Sequence, residues 1–151
     1  MVRQLQPWSG NTKKRLVKAP KLYLRDSGLA LRFIMISDYE SLLGNPVIGA
    51  GWEGYVVENI LSELSDMWRS SFYRTSAQLE ADLVLEGPGK QVFAVEIKRS
   101  TAPTVSKGFH YACHEVGATH KVVIYPGNEN FPLPNGVEAM SLKSFLKILP
   151  R

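Results

Sequence analysis

Two alternating stretches joined by a tight turn place the strongest constraint on how this chain can fold. Residues 79–86 and 92–98 alternate between polar and apolar side chains, and residues 87–90 between them read Gly-Pro-Gly-Lys. Alternation with a period of two is typical of strands, and Gly-Pro-Gly favours a turn, so the pattern predicts a β-hairpin. Glu96 and Lys98 share one face of the second strand, because successive side chains point to opposite sides. With Asp82 on the first strand, the hairpin brings two acids and a lysine together.

Length, charge and cysteine usage limit the class of protein. A chain of 151 residues with 44% apolar side chains predicts one globular domain with a real core. The net charge of +4 favours an anionic partner, nucleic acid first, although an excess of this size is common. Cys113 is the only cysteine, which excludes an internal disulfide and a multi-cysteine zinc site. A reducing cytoplasm fits this composition.

The first 20 residues are basic and interrupted by prolines, and they lack the apolar run of a signal peptide. We interpret residues 1–20 as a basic linker or arm and residues 21–151 as one domain with its core at 50–126. The longest apolar run, residues 29–36, contains Arg32 and is too short to cross a bilayer. The sequence therefore predicts no membrane segment.

Periodicity and capping residues predict the elements around the hairpin. In chain order they are a strand at 21–25, short helices capped by Asp26 and Ser37, a helix at 50–67, a strand at 72–75, the hairpin, a helix at 104–116, a buried strand at 121–125, a loop at 128–135, a strand at 137–140 and a helix capped by Ser141. The order from residue 50 to 125 is α, β, β, β, α, β. It predicts an α/β (α+β) fold with a mixed sheet flanked by helices.

The helix at 50–67 carries two glutamates whose expected surroundings differ. On a helical projection Glu53 falls within the apolar face, and Glu58 falls on the opposite, solvated face. A carboxylate directed at the core is costly unless it is paired, hydrogen-bonded or bound to a cation. Periodicity alone leaves a second interpretation open, in which Glu53 lies at the helix margin and reaches solvent.

Asp82, the motif Glu96-Ile97-Lys98 and the αβββαβ order together resemble the restriction-endonuclease-like, or PD-(D/E)XK, nuclease superfamily. In that resemblance Asp82 is the acid of the second core strand, and Glu96 to Lys98 is the E-x-K motif. Glu53 corresponds to the glutamate often seen on the preceding helix. Ala81 stands where the signature has a proline, a position that varies widely in the superfamily.

A closer resemblance covers nearly the whole chain. The sequence looks like the uncharacterised C-terminal domain of prokaryotic AAA+ type ATPases, a domain of unknown function that normally follows an ATPase module. The segments that carry it are 18–23, 25–29, 51–54, 72–75, 80–84 and 96–98. The chain has no G-x-x-x-x-G-K-[ST] loop, so we assign it no ATPase activity and expect no nucleotide cofactor.

The resemblance implies metal-dependent hydrolysis of phosphodiester bonds, with DNA favoured over RNA. Mg²⁺ or Mn²⁺ held by hard oxygen ligands lowers the pKa of an attacking water and neutralises charge on the phosphate. The implied metal ligands are Asp82, Glu96 and the backbone carbonyl of Ile97. Lys98 and Glu53 are the implied catalytic groups.

Other roles for the acidic residues remain open. Asp82 and Lys98 can form a cross-strand ion pair on a half-exposed sheet face, which is a common and energetically minor arrangement. Glu80 shares the Asp82 face, so it is either an accessory ligand or a solvated strand end. The whole domain can also be a non-catalytic nucleic-acid-binding or regulatory module, or a protein-interaction domain that serves an ATPase.

Basic side chains elsewhere are candidates for salt-dependent contacts with phosphates of a nucleic acid. These candidates are Arg74, Arg99, Lys107, Lys121 and His110. An ordinary solvated position is the simpler interpretation of any single one. His110 and His114 have the spacing of a zinc pair, but no third ligand accompanies them.

Overall fold

The structure, a computed structural model, describes residues 1–26, 28, 29, 32, 38, 40 and 47–149. Its strands are β1 (Val2–Leu5), β2 (Lys21–Leu24), β3 (Arg69–Arg74), β4 (Glu80–Glu86), β5 (Val92–Ile97), β6 (His120–Ile124), β7 (Phe131–Leu133) and β8 (Val137–Met140). Its helices are α1 (Ile48–Glu63), α2 (Lys107–Glu115) and α3 (Leu142–Ile148). Most residues of the two short helices predicted after Asp26 and Ser37 lie outside the described residues. Within the described part, Leu29 N donates a hydrogen bond of 2.8 Å to Asp26 Oδ1.

Six strands form one mixed sheet in the order β3-β4-β5-β6-β8-β7. The predicted hairpin is the antiparallel pair β4-β5, and β6 pairs with β5 in parallel after α2 has crossed between them. The order α1-β3-β4-β5-α2-β6 confirms the predicted mixed α/β fold. None of the described helices combines the length and apolar character needed to cross a membrane.

The sheet separates two groups of buried apolar side chains. Phe93 and Val95 of β5 pack on the side of α1 and α3, and Ala94 packs on the side of α2. Alternation along the strand therefore places Glu96 on the α2 side, as the sequence predicted. Leu83 pairs with Val95 at the end of the antiparallel ladder, and Asp82 directly precedes this pair on β4 while Glu96 directly follows it on β5.

The prediction of a basic linker at residues 1–20 is wrong. β1 pairs with β2 in an antiparallel two-stranded sheet, and Leu5 and Trp8 are buried. Trp8 N donates to Phe72 O at 2.7 Å, and Phe72 N donates to Gln6 O at 3.0 Å, so the segment runs alongside β3. Two apolar anchors and backbone hydrogen bonds hold the segment, and such sparse anchors leave little periodic signal among basic residues.

Glu58 is not a solvated surface charge, contrary to the prediction. Its carboxylate accepts hydrogen bonds from Arg3 Nε at 2.7 Å, Arg3 Nη2 at 2.8 Å and Arg25 Nε at 2.8 Å. The hydrogen bond from Arg3 holds the pKa of Glu58 below its ordinary value. A two-pronged arginine–carboxylate contact is strong and geometrically specific, so it fixes the β1-β2 pair on α1.

In the C-terminal third the helix predicted at 104–116 begins only at Lys107 and one strand was missed, whereas the other elements follow the prediction. Ser106 Oγ accepts from Phe109 N and Ser141 Oγ accepts from Ser144 N, so both serines cap their helices. Residues 128–135 were predicted as a loop, but Phe131–Leu133 forms β7. This strand lies at the edge of the sheet, where a proline such as Pro132 is tolerated because one side needs no donor.

Arg3→Ala should loosen the N-terminal strand pair, because it removes the two-pronged contact with Glu58. We expect the free energy of unfolding, measured by urea denaturation, to fall by about 1–3 kcal/mol. Arg69→Ala is the matched control, since Arg69 has a 76% exposed side chain and meets Glu86 at 3.2 Å. Its loss should stay below about 0.5 kcal/mol. Equal losses in the two variants would contradict the anchoring role of Arg3.

Candidate active site

Four carboxylates from three elements meet where β4 begins and β5 ends. They line one cavity of about 310 Å³ together with the end of the E-x-K motif. The cavity is lined by every residue predicted for the metal and catalytic site, namely Glu53, Glu80, Asp82, Glu96, Ile97 and Lys98. Glu53 does not reach open solvent at the helix margin, because its side chain is only 26% exposed and is paired.

The structure adds Lys21, which the sequence analysis missed. Its Nζ lies 2.9 Å from Glu53 Oε1, 2.7 Å from Glu80 Oε1 and 3.5 Å from Asp82 Oδ1. The Tyr23 hydroxyl donates to the same Glu53 oxygen at 2.6 Å. One ammonium group therefore compensates three carboxylates, a cluster we call the Lys21 cluster.

Strand β2 places Lys21 at the acids because its polar side chains face inward. Lys21 and Tyr23 are half-buried against the site, whereas Leu22 and Leu24 are 62% and 44% exposed. Alternation alone shows that Lys21 and Tyr23 share a face. The preference of apolar side chains for the core would then predict that the leucines face inward, which is the reverse of the observed orientation.

Burial lowers the pKa of Lys21, but its anionic surroundings have the larger effect. The charges of Asp82 and Glu53, with hydrogen bonds to Glu80 and Glu53, raise the pKa above its ordinary value. The same surroundings also raise the pKa of Tyr23, since burial and the Glu53 charge disfavour a phenolate. Lys21 is therefore a permanent cation and Tyr23 a neutral donor.

Asp82 is held between the strands by its second oxygen. Oδ2 accepts a hydrogen bond from Ile97 N at 2.8 Å. Lys98 N donates to Ile124 O on the other side of β5, so the alternation of the ladder turns both backbone groups of Ile97 toward β4. The Ile97 carbonyl thus lies on the strand edge that Asp82 faces.

Burial raises the pKa of Asp82 to about 7, and the nearby charge of Glu53 adds to this effect. Lys21 and the hydrogen bond from Ile97 oppose it without cancelling it. Asp82 therefore ionises near neutral pH. A cation that replaced its proton would remove the cost of burying a negative charge.

Glu96 is the most buried of the four acids, at 7% exposure. Its Oε1 accepts from Ser106 Oγ at 3.0 Å and lies 2.8 Å from Lys98 Nζ. Its Oε2 is buried and has no hydrogen-bond partner among the described residues. An unpaired carboxylate oxygen is costly in such a position, and a cation bound beside it would remove that cost.

The donor set fits Mg²⁺ or Mn²⁺ in its chemistry, because these ions prefer carboxylate and carbonyl oxygens. In the described part of the chain, however, no group of three or more acidic, histidine or cysteine side chains is arranged to hold a metal. Lys21 stands between Glu53, Glu80 and Asp82 instead. A divalent ion bound at these carboxylates would therefore have to displace the lysine.

The basic residues predicted to contact nucleic acid fall into two places. Arg74 lies beside the cavity, with Nε 3.4 Å from Glu80 Oε2. Arg99 and Lys107 are exposed and directly follow the cavity residues Lys98 and Ser106 in the chain.

Lys121 and His110 lie apart from the cavity lining. Lys121 Nζ donates to Asn135 O at 3.3 Å, and His110 Nε2 lies 3.4 Å from Asn135 Nδ2. Both side chains therefore contact the turn between β7 and β8.

Fold and site define a mixed α/β domain with a carboxylate–lysine cavity at the end of its central hairpin. Residues 48–145, more than half of the chain, match the family described as Domain of unknown function (DUF4143). The chain belongs to this family. Residues 1–40 match a second description, Domain of unknown function (DUF8612). Lys21, from the segment 1–40, contacts Glu53, Glu80 and Asp82, which come from the segment 48–145, so the Lys21 cluster draws on both matched segments.

Two similar proteins are each 36% identical to this chain over 146 residues. They are Uncharacterized protein Mb2031c of Mycobacterium bovis and Uncharacterized protein Rv2008c of Mycobacterium tuberculosis. The match covers 97% of this chain and 33% of each relative, so the chain spans about a third of the length of these curated relatives. No solved structure matches it.

Because the pKa of Asp82 is raised, the stability of the metal-free protein, measured in the presence of a chelator, should depend on pH. Between about pH 4 and pH 7 the folded state holds a proton on Asp82 that the unfolded state has lost, so stability should fall as pH rises through this window. Asp82→Asn removes the titration and keeps an acceptor for Ile97 N. At pH 8 the variant should be more stable than wild type, by at most about 4 kcal/mol, and the gain should shrink steadily as the pH falls toward 4.

Denaturation curves at pH 5 to 8 measure this difference. Asp66→Asn, at an exposed aspartate outside the cavity, is the control and should follow the wild-type profile. A constant offset between Asp82→Asn and wild type across this range would contradict the assigned ionisation.

Proposed function

We propose that the domain is a metal-dependent nuclease that hydrolyses phosphodiester bonds in DNA. The observation that carries the proposal is that Asp82 of β4 and Glu96 of β5 line one cavity together with Ile97 and Lys98. The unpartnered Oε2 of Glu96 supports it, because a buried carboxylate oxygen in this cavity suits a cation. The αβββαβ order and the E-x-K motif support it by their resemblance to PD-(D/E)XK nucleases.

Asp82, Glu96 and the Ile97 carbonyl are the residues that would hold the metal. Bound there, Mg²⁺ or Mn²⁺ supplies Lewis-acid chemistry, lowering the pKa of a water and neutralising charge on the phosphate. Lys98 carries a one-third exposed side chain whose Nζ lies 2.8 Å from Glu96. A cation so placed stabilises the negative charge that develops on the phosphate.

Glu53 and Lys21 act at the other wall of the cavity. Glu53 is fixed by two donors, Lys21 Nζ and the Tyr23 hydroxyl, so its carboxylate keeps one orientation. This orientation lets Glu53 accept a proton or bind a metal-held water. Lys21 keeps the acids assembled, because three carboxylates without a counter-charge repel one another.

A second candidate function is a non-catalytic nucleic-acid-binding or protein-interaction module with the same fold. The observation that favours it is the Lys21 cluster, in which an ammonium group already compensates three acids. Under this alternative the carboxylates are structural and no metal is needed.

An ATPase module is the partner that we propose for this domain, in a cytoplasmic setting. The proposal rests on the resemblance to domains that follow such modules. It also fits the length of the two mycobacterial relatives, which are about three times as long as the match.

Metal binding and cleavage test the proposal together. Mn²⁺ or Mg²⁺ should stabilise the wild type, by about 2.7 kcal/mol at a hundred times the Kd, and should permit cleavage of DNA. Asp82→Ala and Glu96→Gln should lose both effects. Lys98→Ala should keep the metal-induced stabilisation and lose cleavage by about 10²-fold or more.

Glu86→Ala is the matched control, since Glu86 lies at the other end of β4 and pairs with exposed Arg69. It should retain both stabilisation and cleavage. If no metal stabilises the wild type and no form of DNA or RNA is cut, the nuclease proposal fails and the non-catalytic alternative stands.

Lys21→Met tests the competition between lysine and metal. The substitution keeps a long side chain but leaves the three acids without their ammonium. We expect weaker stability in chelator and a Mn²⁺ titration midpoint lowered by about tenfold, which corresponds to about 1.4 kcal/mol. Lys18→Met, at an exposed lysine, carries the same charge change and should leave the midpoint unchanged. An unchanged midpoint in Lys21→Met would exclude the competition.

A further inference from the structure

A second cavity, of about 530 Å³, lies next to the carboxylate cavity. Three aromatic residues and two lysines line it, and we call it the aromatic pocket: Trp52, Tyr55, Tyr125, Lys143 and Lys147. No aspartate or glutamate is among its described lining residues. Its lining therefore combines aromatic rings with ammonium groups, whereas the carboxylate cavity is lined mainly by acids.

Two consecutive residues of α1 and one hydrogen bond connect the walls of the two cavities. Trp52 lines the aromatic pocket, and the next residue, Glu53, lines the carboxylate cavity. Trp52 Nε1 donates to the backbone carbonyl of Lys98 at 3.0 Å, and the side chain of Lys98 lines the carboxylate cavity. A ligand in the aromatic pocket would thus contact a residue, Trp52, whose chain neighbour and hydrogen-bond partner both line the carboxylate cavity.

The aromatic rings are held as a platform. The Trp52 and Tyr55 rings are stacked, with centroids 5.9 Å apart and an angle of 24° between their planes. The hydrogen bond to Lys98 fixes the indole, and the Tyr125 hydroxyl is fixed by donating to Glu129 O at 2.7 Å. Tyr55 nevertheless remains 44% exposed, which is a large apolar area beside a polar site.

The two lysines supply positive charge on the opposite wall. Lys143 and Lys147 are four residues apart on α3, so they project from the same helix face, and both are exposed. Aromatic stacking surfaces combined with ammonium groups are the two features by which proteins hold single-stranded nucleic acid.

We propose that the aromatic pocket binds an unpaired nucleotide of a single-stranded nucleic acid, with the base against Trp52 and Tyr55 and phosphates at Lys143 and Lys147. The binding itself follows from the pocket, whereas its place beside the scissile phosphate rests on the proposed nuclease function. A base inside a duplex is covered on both faces by its neighbours and cannot stack on a ring. The pocket therefore selects single strands, or duplexes with an extruded base.

Binding measured in chelator separates this inference from catalysis. A 12-residue oligothymidylate, a probe that forms no duplex with itself, should quench the tryptophan fluorescence of the wild type. Trp8 and Trp68 are both 8% exposed, so the quenching should come from Trp52 and be absent in Trp52→Phe. The same probe annealed to its complement should bind at least about tenfold more weakly, because its bases are stacked in the duplex.

Variants at the pocket test each part of the contact by fluorescence anisotropy. Tyr55→Ala should weaken oligothymidylate binding about tenfold or more. Lys143→Ala with Lys147→Ala should weaken it and reduce its dependence on salt. Tyr111→Ala, which removes a tyrosine of α2 outside the pocket, is the control and should bind like wild type.

The outcomes distinguish the pocket from the nuclease site. Wild-type affinity in Tyr55→Ala and in the lysine variant, or equal affinity for single strand and duplex, overturns the pocket whatever the cleavage result. Binding that depends on Tyr55 supports the pocket even if no metal-dependent cleavage occurs, and only the nuclease proposal then fails. Asp82→Ala should keep the binding, because Asp82 is outside the pocket.

Discussion

The ammonium group of Lys21 is the interaction on which the rest of this structure depends. It lies within 3.5 Å of Glu53, Glu80 and Asp82, which come from α1 and β4. Without a counter-charge these acids would repel one another in a partly buried position, and each would have to take up a proton or turn to solvent. Lys21 reaches them only because β1 pairs with β2 and because Arg3 and Arg25 bind Glu58 on α1. The N-terminal strands are thus part of the site.

Local patterns were enough to predict one half of the site but not the other. Alternation on β4 and β5 predicts Asp82 near Glu96 and Lys98, because each position depends on neighbours in sequence. Helical periodicity places Glu53 within the apolar face of its helix but leaves open whether its carboxylate turns inward or reaches solvent. Lys21 could not be found this way, since β2 exposes its leucines and buries its polar face. The contacts of Arg3 with Glu58 and of Lys21 with Asp82 span 55 and 61 residues, and periodicity carries no information about such pairs. β7 was missed because prolines surround a three-residue edge strand.

Lys98 contacts a residue of each cavity, one lined mainly by acids and the other by aromatic rings and lysines. Its ammonium group pairs with Glu96, while its carbonyl holds Trp52 in the wall of the aromatic pocket. Under the two proposals, a single strand with its base in the pocket would bring the adjacent phosphate toward the carboxylates, where a bound metal would offset the negative charge of both. Both matched segments of the chain contribute residues to this site, so a fragment that lacked residues 1–40 would lose Lys21.

The most direct test of this account is a crystal structure with Mn²⁺, in which anomalous scattering locates the ion independently of activity. The account predicts one anomalous peak in the carboxylate cavity, within roughly 2.0–2.5 Å of oxygens from both Asp82 and Glu96. It also predicts that Lys21 Nζ has moved away from Asp82. If crystals at millimolar Mn²⁺ show no peak there and Lys21 still lies between its three carboxylates, the cavity is a structural salt-bridge cluster and the account is wrong.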